Sequence, residues 1–243
     1  VRPICVARAN PRCSRRMRDS SLTRQITAFT AAIDLSALNG ANGFRVDGLS
    51  GGGWLDIDGQ RVDWLYRDLA RVEREIAECE AGRVRCYYQA GHPHGFYNHI
   101  YMGEVFYCQP LYERDDTLRR LKARTTPYPP LLRQALIHNL WEADFSLENA
   151  RKPAACGDTV QVVGYLYRTV AVMTQALFAL NERYCINEKG AAAEAEAFPL
   201  HPDGFYERVT AVLASAGRDP AALTRSISTM ADVVGEVRTL CEG

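Results

Sequence analysis

From about residue 111 to the end of the chain, apolar residues recur at the three- and four-residue spacing of helices, punctuated by proline and glycine. Pro127, Pro129 and Pro130 start a helix that runs to Lys152, where Pro153 stops it. Another helix covers about Asp158 to Tyr184. A third begins near Asn187, and two more occupy roughly 203–216 and 219–241. Helices with one apolar stripe must bury it against each other, so this half is expected to be a helical bundle. Its longest apolar stretch, Val160 to Leu180, is interrupted by Tyr, Arg, Thr and Gln and is expected to be a buried helix, with no membrane span.

The front half has a different period. Asp58-Gly59, a strong two-residue turn signal, joins Trp54-Leu-Asp-Ile57 to Gln60-Arg-Val-Asp-Trp-Leu-Tyr66. A hairpin with that turn sets Ile57 opposite Gln60, Asp56 opposite Arg61 and Trp54 opposite Asp63. Strand alternation then puts Trp54, Asp56, Arg61 and Asp63 on one face and Leu55, Ile57, Val62 and Trp64 on the core face. Residues 67–81 read as a charged helix opened by Asp68 and closed by Gly82. A short strand at 84–88, the Gly91-His-Pro-His-Gly95 loop and a helix from about Phe96 to Cys108 follow. Residues 25–42 carry a weak helical pattern, and Gly48–Gly53 reads as a glycine-rich loop. That loop has neither a following helix nor a Lys-Ser/Thr, so it is no phosphate-binding P-loop. Val1 to Arg24 is arginine-rich with a single acid, Asp19, and is expected to be a disordered basic tail. The expected division is thus a tail at 1–24, a partial α/β domain at 25–110 and a helical bundle at 111–243.

The formal net charge is zero, which argues against bulk electrostatic binding to nucleic acid or an anionic membrane and leaves room for a local patch. The eight cysteines form no Cys-x-x-Cys pair, which fits reduced thiols in a cytoplasm. Lysine occurs only at positions 122, 152 and 189, against many arginines, so each lysine is of interest.

Two places carry candidate chemistry. Asp63 lies mid-strand, either a solvated carboxylate paired with Arg61 or Arg67, or a metal ligand fixed on a rigid strand. On the helix from Pro130, residues Leu132, Leu136, Leu140, Ala143, Leu147 and Ala150 form the core stripe. Trp141, Asp144, Phe145, Glu148 and Lys152 cluster about a third of a turn away. Glu148 and Lys152, four residues apart, are a helix-stabilising ion pair or a general base beside a phosphate-binding cation. His92, His94, His99 and Glu104 match no closed zinc site by spacing. Glu188 and Lys189 cap a helix or point into a cleft.

Gly59-Gln-Arg-Val-Asp-Trp-Leu-Tyr66, Glu148-Asn-Ala-Arg-Lys152 and Ala179-Leu-Asn-Glu-Arg-Tyr-Cys-Ile-Asn-Glu-Lys189 together resemble the bacterial aminoglycoside nucleotidyltransferases of the DNA polymerase β-like superfamily. The resemblance covers roughly residues 45–215. It implies an α+β chain: a truncated mixed sheet with helices, followed by an all-α helical bundle. It implies transfer of a nucleoside monophosphate from ATP or another nucleoside triphosphate to a small hydroxylated, aminoglycoside-like acceptor, with Mg²⁺. In it Asp63 matches a metal carboxylate, Glu148 the base that activates the acceptor hydroxyl, and Lys152 a phosphate contact, with Lys189 as a further nucleotide contact. A homodimer is compatible with it. The family's Gly-Ser turn and Asp-x-Asp are absent upstream of Asp63, since Asp56-Ile-Asp58 belongs to the hairpin turn. A truncated start, a frameshifted upstream reading or a gene that has lost catalysis would account for that. The alternative function is therefore an inactive homologue acting as a binding or interaction module.

Overall fold

The computed structural model describes residues 3–9, 43–46, 50–57, 60–110, 113 and 115–243. Strands β1 (Pro3–Ala9), β2 (Gly43–Val46), β3 (Ser50–Ile57) and β4 (Gln60–Asp68) form one sheet in the order β1-β4-β3-β2. Ile57 pairs with Gln60, Asp56 with Arg61 and Trp54 with Asp63, the register that a two-residue turn dictates. Three expectations are corrected here. The sheet is not mixed: every described pair in it is antiparallel. The glycine-rich segment is strand from Ser50 on, its glycines pairing with β2 on one side and, at Gly52 and Gly53, with β4 on the other. The tail is not wholly unstructured, because Pro3–Ala9 pairs along β4. Its Ile4-Cys-Val6 run holds two β-branched residues in a segment dominated by arginine. The weak helical pattern at 25–42 lies outside the described residues.

Helix α1 (Leu69–Glu80) follows β4 directly. Asp68 opens it by accepting a hydrogen bond from the Arg71 amide at 3.2 Å, and Gly82, at φ 71°, ends it. A Cβ at Gly82 would lie 2.9 Å from the Leu131 carbonyl oxygen, so only glycine fits. Strands β5 (Cys86–Tyr87) and β6 (Phe96–Tyr97) form a small antiparallel pair. The expected helix from Phe96 begins only at His99, as α2 (His99–Tyr107). Asn98 explains the late start. Fully buried, it bridges back to Arg83 and Arg85: its Oδ1 accepts from the Arg85 amide at 2.9 Å and its Nδ2 donates to the Arg83 carbonyl at 3.0 Å.

The helical half comprises α3 (Thr117–Ala123), α4 (Pro130–His138), α5 (Trp141–Ala155), α6 (Thr159–Leu180), α7 (Ala191–Ala195), α8 (Phe205–Ala214) and α9 (Pro220–Glu242). The single helix expected from Pro130 to Lys152 is two, divided at Asn139 and Leu140. There the amides of Leu140 and Ala143 bond three residues back, tightening the turn without moving the apolar stripe. Leu132, Leu136, Leu140, Ala143, Leu147 and Ala150 are all buried. Pro153 does not stop α5. It sits in the last turn, where it forfeits one backbone bond, and the helix ends at Ala155 ahead of Gly157 at φ 72°.

Helix α6 is the centre of the bundle, packed by α4, α5, α9 and the shorter α7 and α8. Asp158 caps it, accepting from the Gln161 amide at 3.1 Å. Every residue from Thr169 to Leu180 is buried. The helix is long and apolar enough to cross a membrane, at a mean hydropathy of 1.2, but 72% of that window is buried. A helix enclosed in this way over its second half is a bundle core.

The chain divides into two compact units, one of residues 1–77 and 101–127, the other of 78–100 and 128–243. This interleaving replaces the expected division at residue 110. Specific bonds account for it. In the first unit Arg67 of β4 donates two hydrogen bonds to Glu104 of α2, both 2.7 Å. Lys122 of α3 donates to the carbonyls of Val105, Phe106 and Cys108 at the end of α2. In the second unit the 84–98 segment is tied to α6 through Arg168, which donates to the His94 carbonyl at 2.9 Å.

Candidate functional site

Helix α5 carries two of the candidate residues. Its core stripe faces α6 and α9, so the next stripe is left outside the bundle core. Trp141 and Phe145 are 55% and 60% exposed, with ring centroids 5.8 Å apart. Asp144 on the same stripe pairs with Arg238 of α9. Glu148 does not pair with Lys152. Its Oε2 accepts from Arg151 Nε at 2.7 Å, three residues on, and both side chains are largely exposed. Such an exposed pair contributes little to stability, at most about 1 kcal/mol. Lys152 stands exposed in the last turn of α5, where a cation complements the helix dipole, and makes no ion pair among the described residues.

Asp63 lies in β4 between its pairing partners Trp54 and Arg8, and its side chain lies outside the described part, as does that of Asp56. Lys189 is exposed, with its amide donating to Asn187 Oδ1 at 3.0 Å. Lys122, the remaining lysine, has a structural task. It neutralises the carbonyl end of α2 and gains three charge-assisted hydrogen bonds there. Among the described residues no group of three or more His, Cys, Asp and Glu side chains is placed to hold a metal ion. The described side chains therefore do not supply the magnesium site that the resemblance implies, and no catalytic step is assigned to a metal.

A second polar cluster lies within the unit of residues 78–100 and 128–243, built on the turn that the sequence marks as Gly91-His-Pro-His-Gly95. The His92 amide donates to the Gln89 carbonyl and the Gly95 amide to the His92 carbonyl, which close the turn. Gly95, at φ 85°, passes so close to Cys86 that a Cβ would overlap the sulfur. The turn presents His92 to Glu188, Nδ1 to Oε2 at 3.1 Å, and its Phe96 neighbour meets the imidazole edge-on at 5.7 Å. Glu188 is only 8% exposed, and its Oε1 is buried without a hydrogen-bond partner among the described residues.

Beside this pair, the His94 ring lies 4.7 Å from that of Tyr167. Burial lowers the pKa of His94 below the ordinary imidazole range, Glu188 opposing and Arg168 adding to the shift. Arg168 is itself neutralised by a bidentate pair with Glu142, at 2.6 and 2.8 Å. That hydrogen bonding raises the Arg168 pKa further, against the cost of burial. Burial also raises the thiol of Cys86, which argues against a reactive cysteine there. His99, on α2, is 1% exposed with both ring nitrogens unpartnered among the described residues. Burial pushes its pKa down to about 4, although Gln175 nearby favours the protonated ring.

The links Glu142 to Arg168, Arg168 to His94 and His92 to Glu188 join residues 26, 74 and 96 positions apart. No local period or spacing marks such pairs, which is why the sequence shows the histidines but not their partners. No protein-family model, curated protein or solved structure matches the chain.

Proposed function

We propose that this chain is a nucleotidyltransferase-like cytoplasmic protein that moves a nucleoside monophosphate from ATP or another nucleoside triphosphate to a hydroxyl of a small acceptor, an aminoglycoside-like molecule among the candidates. The observation that supports this most is the outward stripe of α5. A carboxylate, a lysine and two aromatic rings share a rigid helix face that the bundle core leaves open. Glu148 offers an acceptor for the hydroxyl proton, Lys152 a cation for phosphate, and Trp141 and Phe145 surfaces for a ring. Lys189 is a second cation in the same role, and Asp63 is the carboxylate through which Mg²⁺ enters the proposal.

The test is incubation of the full chain with α-labelled ATP, Mg²⁺ and a panel of hydroxylated acceptors. Label is expected on an acceptor, and Glu148→Gln and Asp63→Asn are each expected to reduce its transfer by about 100-fold or more. Transfer unchanged in both variants would remove these residues from the chemistry.

A second reading is an inactive homologue that binds without transferring. It is favoured by Glu148 being held by Arg151 and by the lack of a metal-holding group among the described residues. It predicts no label transfer, with Mg-ATP binding by calorimetry that weakens in Lys152→Ala and Lys189→Ala.

A further inference from the structure

His92 and Glu188 meet the geometric requirements of an oriented base better than any carboxylate on α5. An imidazole acts as a base when one nitrogen is reachable and the other donates to a fixed carboxylate that sets tautomer and orientation. His92 is 24% exposed, its Nδ1 is held at 3.1 Å by Glu188 Oε2, and its ring is braced edge-on by Phe96. Its Nε2 has no protein partner among the described residues. Glu148, in contrast, is 74% exposed and engaged by Arg151. The unused oxygen of Glu188 points the same way. A buried carboxylate oxygen without a donor costs free energy, and Oε1 is such an atom within this cluster. A hydroxylated ligand beside His92 has a donor for the ring nitrogen.

We infer that His92, oriented by Glu188, is a proton acceptor for a hydroxyl of the bound acceptor. This rests on the transfer reading above. In the step, the hydroxyl proton passes to His92 Nε2 as the oxygen forms its bond to the α-phosphorus. The bond from that phosphorus to the pyrophosphate oxygen breaks, and pyrophosphate leaves with that electron pair. The imidazolium keeps its Nδ1 proton, and Glu188 balances its charge. Loss of the Nε2 proton to solvent then returns His92 to the neutral ring.

Two measurements test this, and they fail separately. The first is label transfer against pH. His92→Gln is expected to lower kcat by about 100-fold with KM little changed, and to remove the acidic limb of the pH profile. His92→Gln at near wild-type kcat overturns the assignment. The second needs no turnover: diethylpyrocarbonate modification of the full chain, mapped by peptide mass. His92 is expected to be modified, and Glu188→Gln to slow that modification several-fold, because the carboxylate strengthens the ring as a nucleophile. An equal rate in the Glu188→Gln chain overturns the pair even where no label is transferred. A chain that transfers no label yet shows the slowed modification keeps the pair and loses the transfer reading.

Discussion

The centre of α6 and the 83–98 segment belong to the same compact unit but are held by different means. Around α6, twelve consecutive residues from Thr169 to Leu180 are buried, with Leu147, Phe205, Met230 and Val233 among those that close over the helix. That contact is non-directional and scales with apolar area, at roughly 25 cal/mol per Å². The 83–98 segment has two two-residue strands, buries Phe96 and Tyr97, and is otherwise fixed by individual bonds from Asn98, Arg168 and Glu188. A bundle core tolerates small shifts. A segment hung on a few bonds loses its geometry when one is removed, and this is where the imidazole cluster sits.

The largest expected effect is on the bundle side. Phe205 is fully buried at the start of α8, and Phe205→Ala is expected to lower the unfolding free energy by about 3–5 kcal/mol in urea melts. A loss below about 1 kcal/mol would mean that α8 is not part of the core. Next is Asn98→Ala, which removes two part-buried bonds at about 1–1.5 kcal/mol each, so about 2–3 kcal/mol in all. Its signature is faster amide exchange at Arg85 than in the α6 core. Uniform exchange across both regions would erase the contrast between them.

The smallest expected effect is of pH. His99 has a folded pKa of about 4, below the ordinary 6.5, so the unfolded chain binds the proton more readily. The linked stability is therefore complete above about pH 6.5 and falls as pH drops toward 4. The expected loss between pH 7 and pH 5 is about 2 kcal/mol. His94, whose pKa is also lowered by burial, adds to it in the same direction. His99→Gln should flatten this dependence, and an equally steep loss in that variant would place its source elsewhere.

The sequence discloses what repeats. The α5 stripe, the α6 core and the hairpin register at Asp63 all follow from spacing over a few residues. Features that depend on long-range pairing are not legible. The strand at Pro3–Ala9 has β4 as its partner, and α2 begins only after Asn98, which bonds back to Arg83 and Arg85. The same holds for the sites. Glu148 and Lys152 are visible as a helix pair, but Arg151 competes for the carboxylate at equally good spacing and wins it. Glu188 looks like a helix cap, and only the fold brings His92 onto it.

The engagement of Lys122 with three carbonyl oxygens has a practical consequence. The chain has three lysines, and the amine of one is occupied at the end of α2. Amine-selective acylation under native conditions should therefore report mainly on Lys152 and Lys189, the two side chains assigned to nucleotide phosphate. A nucleoside triphosphate that shields either one would appear as a missing mass increment on a single identifiable peptide.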